Sequence, residues 1–183
     1  MNLFFLHLDP KQAAMYHCDK HVVKMILELV QMLYTAHRML ITENLPSDAY
    51  RSFNPQHPTV VWVRMCVENY TYTADVAFYL TKEYTKRYNK NHICEKHIFW
   101  LRENKPIFKQ IPDSYSNNVT LVTNRQMEQL GMTPLPLAMP EDSKCSDPVT
   151  SYRLYYILHK NRFATWKTET PYWYSPIQLK LKF

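Results

Sequence analysis

His17, His21, Lys24 and Glu28 follow one another at i, i+4, i+7 and i+11, Gln31 and Thr35 continue the line, and Lys20 and Arg38 lie at its edge. At about 100° per residue these positions share one narrow strip of a helix. Val22, Met25, Ile26, Leu29, Val30, Met32, Leu33, Ala36 and Leu40 occupy the rest, with Val23 and Leu27 widening the arc. That apolar arc is roughly twice the ~100° stripe of an ordinary surface helix, so protein is expected nearly all round it. Two imidazoles, an ammonium and a carboxylate are costly to bury unpaired. They must pair with one another, line a wet cleft, or form a solvent-facing edge. In a cleft, Lys20, Lys24 and Arg38 would hold phosphate. Glu28 would act as general acid/base or steady an oxocarbenium-like centre, and His17 or His21 would shuttle a proton.

His17 and His21 also have the spacing of two metal ligands on one helical face. Cys18-Asp19-Lys20 stands between them without the zincin glutamate, and Lys20 and Lys24 disfavour a divalent cation. No metal and no other cofactor is expected, a metal-dependent hydrolase being only the third reading. His92, Cys94 and His97 match no standard zinc spacing.

A second group lies near the C-terminus. Arg153, Lys160, Arg162, Trp166 and Lys167 interleave with tyrosines and phenylalanine, and residues 145 to 183 carry six Lys and Arg against two Asp and Glu. Cations for phosphates and flat rings for bases are what single-stranded or unstacked nucleic acid requires. The same rings could equally fill a glycine-poor core.

The elements that position these residues are legible in outline. Asp9-Pro10 and Asp147-Pro148 are helix starts, a carboxylate cap followed by proline at the first helical position. Helix is expected from residue 10 to about 40, from 59 to about 88, from 92 to 102, from 124 to 130 with Gly131 as its cap, and from 147 to about 166. Residues 41 to 57 read as loop, and residues 104 to 148 as a proline-rich crossover around a polar patch, Ser114-Tyr115-Ser116-Asn117-Asn118. Residues 1 to 6 read as a short buried strand, and the aromatic tail Tyr172-Trp173-Tyr174-Ser175-Pro176 should fold back on the body. Asn69, among apolar neighbours on the second long helix, is either a satisfied core amide or a group that reads a base edge or orients Glu28.

Composition narrows the choices. With 183 residues, 46% hydrophobic and 21% charged, one folded domain spanning residues 1 to 183 is expected. The single glycine excludes glycine-rich phosphate loops and counts against hairpin-rich all-β folds. A net charge of +6 favours an anionic partner, nucleic acid or nucleotide first. No apolar run is long enough to span a bilayer, so no membrane partner is expected. Four scattered cysteines without a CxxC pair read as reduced thiols.

The run Tyr16-His17-Cys18-Asp19-Lys20-His21-Val22-Val23-Lys24-Met25-Ile26-Leu27-Glu28 resembles the opening of a family of uncharacterised small proteins of phages and large DNA viruses. His57-Pro58, Glu83-Tyr84, Arg87-Tyr88, Leu137-Ala138-Met139-Pro140 and Ser151-Tyr152-Arg153 carry the resemblance through most of the chain. At the level of fold the chain also resembles the phage pyrimidine-dimer DNA glycosylases, which are helical and basic, with an acidic catalytic residue on the first long helix. That resemblance makes Glu28 the acidic residue and His57-Pro58 the echo of a later His-Pro helix start. The group's nucleophile is the α-amine of a small residue behind the initiator methionine; Asn2 stands there instead, so the Schiff-base step does not carry over.

The expectation is therefore a mainly α domain with two long central antiparallel helices, a short N-terminal strand, a proline-rich crossover and a C-terminal helix packed across them. Its expected function is that of a viral enzyme acting on nucleic acid, DNA before RNA, at a base or glycosidic bond, in the cytoplasm or nucleus of an infected cell. A target in duplex would have to be flipped out. The alternative is a non-catalytic viral protein that captures a nucleotide or blocks a host defence.

Overall fold

Asp9 accepts a hydrogen bond from Lys11 N–H and Pro10 opens the first helix, but the chain does not run on as one helix to residue 40. In the computed structural model, which describes residues 2–108, 115 and 118–175, α1 spans Pro10–Tyr16 and α2 spans Asp19–Met39. His17 and Cys18 between them are extended. The fully buried Arg87 side chain makes this break affordable, donating to the carbonyls of Met15 (3.0 Å) and His17 (2.8 Å) while pairing with Asp19 (3.1 Å) and Glu83 (2.8 Å). The carbonyls orphaned where a helix stops are thus satisfied from 70 residues away.

The second long stretch is broken in the same way. Pro58–Val63 form α3, started by His57, and Val67–Tyr88 form α4. Asn69 Nδ2 donates to the Trp62 carbonyl (2.8 Å) and to Thr133 Oγ1 (2.7 Å), and its Oδ1 accepts from Thr133 N–H. Asn69 is therefore a satisfied core amide that ties the crossover to the α3–α4 corner. The remaining elements are α5 (Glu95–Glu103), β1 (Leu121–Val122), α6 (Arg125–Gln129), β2 (Leu135–Pro136), a 3₁₀ turn (Glu141–Ser143) and α7 (Pro148–His159). Gly131 follows α6 at φ +74°, where a Cβ would come within 3.1 Å of Glu68 Cγ.

The fold is mainly α, with α2 and α4 at its centre. They run antiparallel: Arg87 at the end of α4 reaches Asp19 at the start of α2, and His37 near the end of α2 meets Tyr70 in the first turn of α4. Ile26, Leu29 and Leu33 of α2 and Val76, Ala77 and Leu80 of α4 are fully buried in one core. Each large aliphatic contributes about 1.5–3 kcal/mol by leaving water. Val23 and Leu27, expected to widen the buried arc, are instead partly exposed.

Leu3, Phe4, Phe5 and Leu6 are buried as anticipated, yet among the described residues they pair with no strand. Side chains take the place of a ladder. Arg153 donates to the Leu6 carbonyl, Tyr72 to the His7 carbonyl, and Asn2 itself donates to Ala138. The two-stranded sheet lies in the crossover, where β1 and β2 pair antiparallel. α7 stops at His159, short of the expected Trp166, and its Tyr152 and Tyr156 pack edge-on against Phe4. Pro176 of the tail and Ser114, Ser116 and Asn117 of the polar patch lie outside the described residues.

Candidate functional site

The start of α2 turns its polar strip into a hollow of about 380 Å³. Lys20, His21, Lys24, Met25 and Glu28 form one wall. The opposing walls come from distant parts of the chain: Asn2 and Phe4 from the N-terminal segment, Ala138 from the crossover, and Tyr155, Lys160 and Phe163 from α7 and the turn after it. Three ammonium groups, one carboxylate and one imidazole thus share a concave surface.

Aromatic rings hold two of these cations, Lys20 and Lys160. Lys20 Nζ sits 4.8 Å from the centroid of the Phe163 ring, and Lys160 Nζ sits 4.2 Å from that of Tyr155 while donating to the Tyr155 hydroxyl at 3.0 Å. Phe4 stacks with two further rings, His21 at 4.4 Å and Tyr155 at 5.8 Å between centroids. The Lys24 side chain is 67% exposed, and it pairs with Glu28 Oε1 at 3.0 Å. The other Glu28 oxygen accepts from the backbone N–H of Asn2 at 3.3 Å.

The two histidines differ. His21 lines the hollow, with Nδ1 hydrogen-bonded to the Tyr156 hydroxyl. Burial, and then the charges of His17, Lys160, Lys24 and Lys20, push its pKa down to about 3. All three lysines that line the hollow therefore act on one imidazole. His17 lies behind it, buried, with Nδ1–H donating to the Ala13 carbonyl (2.7 Å) and Nε2 sealed from solvent without a partner among the described residues. Burial pushes His17 down to about 4. Both rings are neutral near pH 7, and only His21 can touch a molecule in the hollow. Among the described residues no three His, Cys, Asp or Glu side chains gather as a metal-ligand group.

The other sequence-derived candidates separate from this site. Arg38 lies about 21 Å beyond Lys24 along the helix axis at 1.5 Å per residue. It donates to the Ala49 and Tyr50 carbonyls, so it anchors the loop after α2 and has no place beside Lys20 and Lys24. That loop also covers the far end of the strip, where Thr35 donates to the Gln31 carbonyl and accepts from Phe53 N–H. Arg153 is held by the Leu6 carbonyl and the rings of Tyr16, Tyr172 and Trp173, a structural setting with no opening to the hollow. Trp166 donates to the Tyr16 carbonyl, and the backbone N–H of Lys167 donates to Asp19, so both seal the α1–α2 corner. Arg162 is exposed beside Phe163 without lining the hollow. Of the C-terminal set, Lys160 alone joins Lys20, His21, Lys24 and Glu28.

Sequence reasoning passed over Asn2, Phe4, Met25, Ala138, Tyr155 and Phe163 as site residues. The Tyr155 and Phe163 signal was present, an aromatic residue near each cation of residues 152 to 167, but its use as a platform for ammonium groups needs the tertiary fold. Among the described residues no helix is long and apolar enough to cross a membrane. Comparisons with family models, with curated proteins and with solved structures find no match to this chain.

Proposed function

We propose that the hollow binds a phosphate-bearing nucleotide unit and that Glu28 performs acid–base chemistry at its glycosidic bond. The observation that carries this reading is the convergence of Lys20, Lys24 and Lys160 with the Glu28 carboxylate on a single concavity. Ammonium groups held on aromatic faces are placed in advance for phosphate oxygens, and charge-assisted hydrogen bonds to such oxygens are about twice as strong as neutral ones. A carboxylate close to that anion can stabilise an oxocarbenium-like centre or move a proton to the departing base. The resemblance to pyrimidine-dimer glycosylases at Glu28 points to the same bond. The ligand is a nucleotide within nucleic acid, DNA before RNA, or a free nucleotide, in a viral protein working in the cytoplasm or nucleus of the infected cell.

Protonation of the leaving base falls to Glu28 or to water. His17 cannot reach the ligand, and His21, neutral and surrounded by three lysines, serves as a hydrogen-bonding wall. Glu28→Gln should abolish base release from whichever substrate the wild-type chain turns over, nucleoside 5′-monophosphates or oligonucleotides carrying uracil, alkylated bases or a pyrimidine dimer, while binding stays within about threefold. Undiminished release in that variant would remove Glu28 from the mechanism.

The second reading, capture of a nucleotide without turnover, is favoured by the engagement of both Glu28 oxygens, with Lys24 and with Asn2 N–H. A sponge would return the bound nucleotide chemically unaltered after prolonged incubation with the wild-type chain.

A further inference from the structure

The ledger of charge around the hollow is specific. Lys24 is paired with Glu28, whereas Lys20 and Lys160 have no carboxylate within ion-pair distance among the described residues. Each of those two is held on a ring, Phe163 or Tyr155, which fixes its position without neutralising it. His21 adds no charge near pH 7, so the lining carries three positive charges against one negative. The hollow, at about 380 Å³, stands at the small end of small-molecule sites, which run from about 300 to 1,000 Å³. Its size suits a ligand of about one nucleotide.

We infer that the ligand's phosphate is a terminal monoester, a dianion matched to the two uncompensated ammonium groups of Lys20 and Lys160, and not the singly charged diester inside a strand. This rests on the nucleotide reading of the same site and narrows its substrate class to nucleoside monophosphates or the phosphorylated ends of nucleic acid. An internal diester, with a single negative charge, would leave one of the two ammoniums without its counter-charge.

Calorimetric titration of the full chain tests it with four probes: uridine 5′-monophosphate, its methyl phosphodiester, and a single-stranded octanucleotide with and without a 5′-phosphate. The monophosphate should bind at least tenfold more tightly than its methyl diester at pH 7.5. That advantage should shrink as the pH falls below about 6, where a phosphate monoester takes up a proton and becomes a monoanion. Lys20→Gln and Lys160→Gln should each lower monophosphate affinity about tenfold and leave diester affinity nearly unchanged. Both residues sit at the surface of the hollow, and the thermal midpoint of each variant checks that it folds. A phosphorylated octanucleotide that binds as tightly as the monophosphate identifies a strand end as the source, and one that binds far more weakly identifies the free nucleotide. Equal affinity for monoester and diester would overturn the inference while leaving the nucleotide reading intact. Failure of every phosphate compound to bind would overturn both.

Discussion

The two ends of α2 each set a histidine against a tyrosine, and they differ in what surrounds the pair. Near the C-terminal end, His37 Nε2 is hydrogen-bonded to Tyr70 (2.8 Å), Tyr70 donates on to the Leu101 carbonyl (3.0 Å), and His37 Nδ1 meets Thr42 (3.0 Å). Every polar atom of that network is used. Near the N-terminal end, His21 Nδ1 meets Tyr156, but the ring lines a hollow ringed by lysines. Burial lowers the pKa of both histidines, to about 4 for His37 and about 3 for His21, and only at His21 do cations add to it. A closed network stabilises and orders a core. An open one, with cations held in place and left partly uncompensated, is what a binding site requires.

The same contrast holds among the basic residues. Arg87 is fully buried and meets carboxylates and carbonyls on every side, whereas Lys20 and Lys160 meet aromatic faces. Arg87→Met should therefore have the largest effect on stability, about 3–5 kcal/mol, because it leaves Asp19 and Glu83 facing one another and strips the α1 carbonyls of their donor. Urea unfolding measures it. A loss below about 1 kcal/mol would show that the α1–α2 corner holds without the arginine.

Tyr70→Phe comes next, costing about 1–3 kcal/mol by orphaning the Leu101 carbonyl and His37 Nε2, with no change in ligand affinity. Tyr156→Phe sharpens the comparison, since it should cost a similar amount and also weaken nucleotide binding by releasing His21. If both tyrosines affect stability alone, the two ends of α2 are equivalent and the functional distinction fails.

Acid gives a third contrast. His17, His21 and His37 have folded pKa values below the 6.5 of a free imidazole. Between pH 6.5 and about 4 the unfolded chain therefore binds more protons than the folded one. Stability is constant above pH 6.5 as far as these groups are concerned and falls as the pH drops below it. The slope approaches about 1.4 kcal/mol per pH unit for each histidine kept neutral. A urea midpoint that stays level from pH 7.5 to pH 4.5 would contradict the burial of these rings. At the smallest end, Arg162→Gln should alter stability by less than about 0.5 kcal/mol and leave affinity unchanged, as an exposed cation outside the hollow.

Much of this was legible in the sequence. The polar strip of α2 could be read from the spacing of His21, Lys24 and Glu28, and with Lys20 they do share one hollow, whereas His17, read as the first member of the same strip, falls in the extended break before the helix. Arg38 fell on the same angular edge but far along the axis, a separation that an angular projection discards. The breaks at His17-Cys18 and Arg64-Met65-Cys66 carry neither glycine nor proline. They are stabilised by Arg87 and Asn69, donors whose targets are fixed only by tertiary structure. For the same reason the N-terminal segment reads as strand: its burial follows from apolar residues, but side chains and not a neighbouring strand take up its backbone groups.

The most direct test of the shared hollow is the affinity of the triple variant Lys20→Gln/Lys24→Gln/Lys160→Gln for a nucleoside monophosphate, measured beside its thermal midpoint. A loss of at least about 100-fold is expected if the charge-assisted hydrogen bonds of Lys20 and Lys160 to one anion are removed together, along with the nearby charge of Lys24, with the midpoint shifted by no more than a few degrees. Wild-type affinity in a normally folded triple variant would show that these lysines do not form the site.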